Sequence, residues 1–387
     1  MQRILIAGSA REDTGFGRVV RAIAGALAVR YDVHVLGHDV FGPAPADGWT
    51  LHGGCPTDIF ALARLGPLTA RLDPRLILIV NDYYFLPAYL ERLPPSARRP
   101  ALAAYIPIDA PSTDVSQFRG IPALDAVAVY THFARSVLDS ALPSRPPTRV
   151  IPHAAVHQVF QTMPGGSRME ARCALSQRLG RPDLCEEGFW VLNANKNSNR
   201  KRLDLTMHGF ALFARGKPAN VRLYIHSGRR DTGPDLLRLA RNLELGDRLI
   251  LTGDSPQHPS IPLADLNLVY NSCDAGINTS LGEGWGLVSF EHASTDAAQI
   301  LPRHSSLPEL WEDAAEFIEP TRAKRFGCHL EGQEVAPEAV ADALERLYTD
   351  PVRLGRLSRA AQRNTARPEF SIERVGRQWQ SFVAELV

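Results

Sequence analysis

The chain has 387 residues, of which 44% are hydrophobic and 22% charged, and its formal net charge at pH 7 is +1. This length predicts two domains of roughly 150–200 residues, because single hydrophobic cores stop growing at about 250–300 residues. The near-neutral charge provides no bulk attraction to nucleic acid or to an anionic membrane, so we predict no nucleic-acid partner.

The longest apolar runs, Leu76–Val80 and Ala101–Ile106, are far shorter than the ~20 residues that a membrane-spanning helix needs. We therefore expect no membrane-spanning segment, and peripheral membrane contact stays open. The five cysteines are scattered, so we expect neither a disulfide framework nor a zinc site. This use of cysteine indicates a reducing cytosol, and because the first predicted strand begins at Arg3 we expect no signal peptide. We therefore expect a cytoplasmic protein.

Strands and helices alternate through the first 150 residues. Arg3–Ala7 is predicted as a buried strand, Gly8–Gly17 as a loop, and Arg18–Val29 as a helix with one apolar face. The other predicted strands of this half are Asp32–Leu36, Arg75–Val80, Ala101–Ile108, Ala126–Tyr130 and Arg149–Ile151. Asp39–Pro56, rich in proline and glycine, is predicted to be irregular. The alternation predicts a doubly wound parallel sheet.

A change of composition at Thr162–Gly188 separates two halves. We predict an N-terminal domain at 1–165, a linker at 166–188 and a C-terminal domain at 189–370. In the C-terminal domain the alternation begins again, with predicted strands at Phe189–Asn193, Val221–His226, Arg248–Thr252, Asp274–Ile277, 300–301 and Ala315–Ile318. Helical periodicity separates these strands, and a last amphipathic helix covers 371–387.

The most informative stretch is Asn278–His292, NTSLGEGWGLVSFEH. It follows a short predicted strand, passes through a glycine-rich loop, and becomes helical from Leu287. Such a loop lets backbone amides approach an anion closely, and a helix N-terminus adds partial positive charge. A tight turn with an acidic helix start would also explain Glu283. It explains Glu291 less well, because this residue shares a helix face with apolar Leu287 and a buried carboxylate needs a partner.

Polar residues follow several predicted strands at their carboxyl ends. In tandem doubly wound domains these ends line a common crevice, where ligands bind. The residues at these ends are Asp82, Asp109, His153, Asn195, Asp254 and Glu283. A turn or helix cap would equally explain Asp109, and a structural role would explain His153. His153 and His157 have no third ligand nearby, so we predict no metal site.

Two further loops, one basic and one rich in glycine, have more than one interpretation. Asn195–Arg202, NKNSNRKR, is either a solvated charged loop or a diphosphate clamp, because phosphate contacts need Arg or Lys close by. Only 4 of the 43 basic residues are lysine. A lysine at position 201, in a chain that nearly always has arginine, therefore favours a specific role in the clamp over a neutral surface charge. Thr14–Arg18 is glycine-rich, and a plain strand-to-helix turn would also explain it. It lacks the third glycine of a dinucleotide fingerprint, so NAD binding and an oxidoreductase are less favoured. The chain contains no Asp-x-Asp sequence, which removes one usual metal–diphosphate site.

Together these blocks resemble retaining GT-B glycosyltransferases, in particular glycosyltransferase family 4. Gly282–Glu291 resembles the Glu-x7-Glu signature of that family, and Ile151-Pro152-His153 through Phe160 resembles the end of its N-terminal domain. Asn199–Asp204 resembles its basic block, and Ile300–Leu310, with Leu307–Leu310 at its end, resembles the stretch after the signature helix. The segment at 371–387 resembles the family's C-terminal helix, which packs back onto the N-terminal domain. The resemblance implies two Rossmann-like domains facing an interdomain cleft.

The resemblance also implies a function: a metal-independent, retaining bacterial glycosyltransferase of the hexosyltransferase type. Its donor would be a nucleotide-diphosphate sugar, and its acceptor a hydroxyl group of a natural product or an envelope glycan. The implied catalytic residues are Glu283, Lys201, Arg200 and Asp109. The implied donor-binding residues are Glu291, Gly284, Trp285, Gly286, Leu287, Gly15, Gly17, Lys196, Asn195 and Asp254, and the acceptor-side residues are His153 and Asp82. The family has an arginine near Asn195, so either Lys196 or Arg200 supplies the second positive charge here, or the clamp is weaker than in the family.

Two alternatives to this function remain open. One is another GT-B enzyme, such as a sugar-nucleotide epimerase or a phosphorylase, which incubation of the donor without acceptor, or with phosphate, would reveal. The other is a non-catalytic nucleotide-sugar-binding protein of the same fold. The presence of both glutamates and of Lys201 argues against the second alternative.

Overall fold

The computed structural model describes residues 1–41, 48–58, 60–93, 99–155, 157 and 159–387. It divides the chain into two compact units, one made of Met1–Ala154 with Pro368–Val387 and the other of Ala155–Arg367. Two predicted features extend over positions outside the described residues. These positions are 42–47 in the irregular segment Asp39–Pro56, and 156 and 158 in the motif that ends at Phe160.

The first unit is built on a seven-stranded parallel sheet. Its strands are β1 (Arg3–Gly8), β2 (Asp32–Gly37), β3 (Thr50–Gly53), β4 (Leu76–Val80), β5 (Ala101–Ile106), β6 (Ala126–Val129) and β7 (Thr148–Val150). Its first four helices are α1 (Gly15–Ala28), α2 (Leu62–Leu72), α3 (Leu86–Leu90) and α4 (His132–Ala141). The strand order is β3-β2-β1-β4-β5-β6-β7, and β4 is buried along its whole length, as expected for a sheet covered on both faces. Strand β3 lies in the segment that was predicted to be irregular.

The second unit is built on a six-stranded parallel sheet. Its sheet strands are β8 (Phe189–Asn193), β9 (Val221–Ile225), β10 (Leu249–Leu251), β11 (Ala275–Ile277), β12 (Ala298–Pro302) and β13 (Glu316–Ile318). Its helices are α5 (Arg168–Leu179), α6 (Leu203–Phe213), α7 (Leu236–Asn242), α8 (Leu263–Ser272), α9 (Leu287–Ala293), α10 (Leu307–Trp311), α11 (Pro337–Thr349) and α12 (Pro351–Thr365). The strand order is β10-β9-β8-β11-β12-β13. Strands β14 (Arg322–Phe326) and β15 (Leu330–Glu334) form a separate antiparallel hairpin, which was not predicted.

Positions 166–188, predicted as a linker, belong to the second unit. Helix α5 is attached there by Arg172, which donates to Asp274 just before β11 at 2.6 Å and lies over the ring of Trp190. The carboxylate of Asp274 also accepts the backbone N–H of Trp190 at 2.7 Å. A charged pair of this kind is visible only once the strand and the helix are packed together, so the composition of the segment did not reveal it.

The same segment contains a disulfide bond between Cys173 and Cys185, contrary to the expectation from the cysteine spacing. The two residues are 12 positions apart, and the chain turns back after α5 so that their Cα atoms lie 4.2 Å apart. The spacing of cysteines along a chain does not reveal a disulfide between two cysteines that a helix and a turn bring together.

The chain ends in α13 (Ile372–Ala384), which packs in the first unit. The ring of Trp379 lies against Tyr105 of β5, with centroids 4.8 Å apart, and the Gln380 side chain donates to the carbonyl of Ala26 in α1. Ser371 caps the helix by accepting the backbone N–H of Arg374. Among the described residues, no helix is both long and apolar enough to cross a membrane.

Replacement of Asp274 by Asn should lower the free energy of unfolding by about 3–5 kcal/mol, because it leaves the buried Arg172 guanidinium, 1% exposed, without that carboxylate. The matched control is Asp265→Asn, since its partner on the same helix, Arg178, is 66% exposed and such pairs contribute at most about 1 kcal/mol. Urea unfolding followed by tryptophan fluorescence compares the two variants. Equal losses would contradict a special role for the buried pair.

Candidate donor site in the second unit

The candidate site lies at the carboxyl ends of β8 and β11. These strands pair in parallel, with Ala275 opposite Val191, although more than seventy positions separate them in sequence. Strands β9 and β10 lie on one side of this pair and β12 and β13 on the other, so the chain changes direction across the sheet here. Ligands of open α/β sheets bind at such switch points. The pairing also brings the loop that carries Arg200 and Lys201 next to the loop that carries Glu283.

The carboxylate of Glu283 is the centre of an ion cluster with Lys201 and Arg200. Its Oε2 atom accepts from Lys201 Nζ at 2.5 Å, from Ser280 Oγ at 2.9 Å and from Arg200 Nη1 at 3.4 Å. Burial acts to raise the pKa of Glu283, but the charges of Lys201 and Arg200 and the hydrogen bonds outweigh it and lower the pKa to about 2. The carboxylate is therefore ionised at neutral pH and holds both cations in place.

The backbone around Glu283 is held by contacts of its own. The Ser306 hydroxyl donates to the Glu283 carbonyl at 2.6 Å, and Arg200 Nη1 donates to the Gly282 carbonyl at 2.6 Å. Gly286 has a φ of 86°, a left-handed conformation that favours glycine, and α9 begins at the next residue, Leu287. Gly284 and Trp285 lie between these anchors, and the Trp285 ring stacks on Phe290 at 4.9 Å. The glycines thus allow the turn, and Ser306 and Arg200 hold it.

Glu291 lies one turn inside α9 and is buried. Its Oε2 atom accepts from the hydroxyl of Tyr270 on α8 at 2.9 Å. Sequence reasoning predicted that this carboxylate needs a partner but did not find Tyr270. One sequence feature could have predicted this partner. Tyr270 lies near the end of the helix that directly precedes β11, and such a helix packs close to α9.

Three other predicted donor residues make separate contacts. Asn195 is buried and donates through Nδ2 to the Asn193 side chain at 2.9 Å. Lys196 pairs with Asp231 at 3.2 Å, and Asp254 pairs with Arg229 at 3.2 Å. Of the two residues proposed to replace the family's arginine, Arg200 is the one that contacts Glu283.

The glycine-rich loop of the first unit leads into α1. Gly15 is the first residue of this helix, and Thr14 caps it by accepting the backbone N–H of Gly17 at 3.0 Å. A Cβ atom at Gly17 would lie 1.7 Å from the carbonyl oxygen of Arg11. No larger residue fits at Gly17, so this glycine is required by packing whatever the loop binds.

Asp82, Asp109 and His153 follow β4, β5 and β7 of the first unit. Asp82 accepts from the Tyr84 hydroxyl at 2.9 Å, and burial together with the charges of Asp82 and Asp109 raises the pKa of Tyr130. His153 is buried, with its Nδ1 atom 3.0 Å from the Tyr105 hydroxyl. Burial lowers the pKa of His153 to about 3, so its ring is neutral at physiological pH.

Among the residues that the structure describes, no group of three or more His, Cys, Asp or Glu side chains is arranged to hold a metal ion.

The arrangement of the two sheets corresponds to a known fold class. Two doubly wound parallel-sheet α/β units are the architecture of GT-B glycosyltransferases, and solved structures of that class match essentially the full chain, which confirms the predicted fold class. No protein-family model matches the sequence, and no curated protein matches it.

The similar structures share little sequence with this chain. Sucrose-phosphate synthase from Thermosynechococcus elongatus is 16% identical, with a TM-score of 0.76 over 100% of this chain and 99% of that one. HepE from Anabaena in complex with UDP is 17% identical, with a TM-score of 0.69 over 100% of both chains. WaaG, a glycosyltransferase involved in lipopolysaccharide biosynthesis, is 11% identical, with a TM-score of 0.72 over 98% of this chain and 99% of that one. At these identities the likeness shows the fold alone.

Replacement of Glu283 by Gln should destabilise the protein by an amount that depends on pH. The folded pKa is about 2, below the ordinary value of 4.5, so the ionised carboxylate contributes its full stability above pH 4.5 and loses it as the pH falls towards 2. The difference in unfolding free energy between wild type and variant should therefore shrink between about pH 5 and about pH 3. Urea unfolding at several pH values measures this difference. A difference that stays constant over this range would contradict the ion cluster.

Proposed function

We propose that this protein is a retaining, metal-independent glycosyltransferase that moves a sugar from a nucleotide-diphosphate sugar to a hydroxyl group of its acceptor. The observation that carries the proposal is the buried Glu283 carboxylate, which holds Lys201 and Arg200 at the β8/β11 switch point. Two cations at such a point suit a diphosphate, since Arg and Lys make strong charge-assisted contacts to phosphate. Further support comes from HepE, a protein of the same fold, whose solved structures hold UDP and UDP-glucose.

In the proposed reaction, the bond between the sugar C1 and the diphosphate oxygen breaks, and the acceptor oxygen bonds to C1 on the same face. The acceptor hydroxyl proton passes to the leaving phosphate. Lys201 and Arg200 stabilise the negative charge that develops on the leaving diphosphate. The backbone amides from Gly284 to Leu287 donate to the sugar or the diphosphate.

The two glutamates have separate roles in this proposal. Glu283 binds hydroxyl groups of the transferred sugar, and its short contact to Lys201 ties the sugar site to the phosphate site. Glu291 binds the ribose, and the Tyr270 hydroxyl orients its carboxylate. A carboxylate that already has one donor still accepts hydrogen bonds at its other lone pairs.

The remaining residues serve the donor phosphates and the acceptor. Arg200, not Lys196, supplies the second positive charge, because Arg200 contacts Glu283 while Lys196 pairs with Asp231. Asn195 and Asp254 are further donor contacts. Asp82 and neutral His153 serve the acceptor, which is a natural product or an envelope glycan, and Asp109 is a catalytic residue.

Lys201→Ala and Glu283→Ala should each lower kcat by about 10²–10³-fold, because each removes an interaction with the charge or the sugar in the transition state. The donor is first found by thermal stabilisation of the wild type with UDP-, GDP-, ADP- and dTDP-sugars, and transfer is then measured across acceptors. Arg303→Ala is the control, since its guanidinium is half exposed and pairs with exposed Glu319. Wild-type kcat in either variant would remove that residue from the mechanism.

The product should keep the anomeric configuration of the donor, and EDTA should leave the rate unchanged. NMR of the freshly formed product gives the configuration. An inverted product would contradict retention, and a rate lost with EDTA and restored by Mg²⁺ would contradict metal independence. Epimerised donor, sugar phosphate formed with added phosphate, or nucleotide binding without any turnover would instead identify one of the alternative functions.

A further inference from the structure

The β14–β15 hairpin belongs to neither parallel sheet, and an isolated two-stranded hairpin is marginally stable in water. It is held against the loop that carries Glu283. The backbone N–H of Gln333 donates to the carbonyl of Leu281 at 2.8 Å, and a Cβ atom at Gly332 would lie 2.1 Å from that carbonyl oxygen. Glycine at position 332 is therefore what allows the hairpin to approach the loop this closely.

The hairpin is also attached to the second loop of the candidate site. Glu334, at the end of β15, is buried and forms ion pairs with Arg202, Arg322 and Lys324. The side chains of Arg322 and Lys324 are 67% and 42% exposed, whereas that of Arg202 is only 14% exposed. Water screens the two exposed pairs, so the pair with Arg202 dominates the interaction.

Arg202 directly follows Arg200 and Lys201, and its backbone adopts the left-handed conformation with a φ of 50° just before α6. Non-glycine residues keep such a conformation when the surrounding contacts enforce it. Here the guanidinium lies between Asp204, at 2.8 Å, and Glu334, and the carbonyl of Arg202 accepts from the Thr279 hydroxyl at 2.8 Å. The turn that presents Arg200 and Lys201 is therefore fixed from the hairpin side.

The hairpin thus contacts both halves of the ion cluster, the Arg200–Arg202 turn through Glu334 and the Leu281–Glu283 loop through Gln333 and Gly332. A diphosphate clamp works only if its charges are already in place, since errors of about 1 Å cost much of the binding and rate. On the basis of the donor site proposed above, we propose that the hairpin is a positioning element for the diphosphate clamp. Glu334 and Gly332 are its positioning residues.

Two variants test the role of the hairpin, one by removing a charge and the other by adding a methyl group. Glu334→Gln removes the charge that holds Arg202, and Gly332→Ala pushes the hairpin away from Leu281 without changing any charge. The control is Arg325→Ala, an exposed basic residue of β14 that lies on the opposite face of the hairpin from Arg322 and Lys324. Folding of each full-length variant is checked by urea unfolding.

The measured quantity is the ratio of the Kd of a nucleoside monophosphate to that of the corresponding diphosphate, by calorimetry with UMP and UDP, GMP and GDP, AMP and ADP, and dTMP and dTDP. Both hairpin variants should weaken diphosphate binding by roughly tenfold or more and lower this ratio, because they displace the groups that bind the β-phosphate. Donor KM should rise along with a fall in kcat. Arg325→Ala should match the wild type in all three quantities.

The other possible results would contradict either the positioning role of the hairpin or the proposed function. Equal weakening of mono- and diphosphate binding, or a ratio unchanged from wild type, would overturn the positioning role. So would failure of both variants to fold, because the hairpin would then be a general structural element of the second unit. A wild type that binds none of the nucleoside diphosphates would instead contradict the proposed function itself.

Discussion

The ion cluster of Glu283, Lys201 and Arg200 is the interaction on which the geometry of the candidate site depends. A buried carboxylate is costly to remove from water, and it is tolerated where cations and hydrogen-bond donors contact it. The pairing of β8 with β11 supplies that geometry, because it fixes the two loop origins side by side. Ser280 completes the set of hydrogen bonds to the carboxylate.

Polar side chains behind this cluster connect the same elements. A chain of hydrogen bonds leads from Asn193 at the end of β8 through Thr206 of α6 to Thr279, which donates to the Arg202 carbonyl. A fully satisfied buried network of this type rigidifies its surroundings. Together with Glu334 on the hairpin, it holds the basic turn from two directions, so the site is a rigid assembly rather than a set of surface charges.

Much of this arrangement was predictable from the sequence. Continuous apolar runs between helical stretches predicted nearly all strands of both sheets, because parallel strands buried on both faces leave that pattern. Two strands that were not predicted, one in the first sheet and one in the hairpin, have physical reasons for being missed. Strand β3 is half exposed and short, and the hairpin strand β14 is exposed and basic, so neither has an apolar signal. The helix at 168–179 was placed in a linker because its attachment to the second unit depends on Arg172 and Asp274, about a hundred positions apart.

The sequence by itself determined the two doubly wound units and the chemical types at the ends of their strands: the two glutamates, the rare lysine and the glycine turn. These are local properties, since periodicity, glycine and charge are read from neighbouring positions. Only the tertiary structure decided which of these groups meet. It joined Lys201 and Arg200 to Glu283, paired Lys196 with Asp231, gave Glu291 its Tyr270 partner, and brought in the hairpin with Glu334. Such contacts depend on strand order and packing between segments up to about 130 positions apart, which no local pattern encodes.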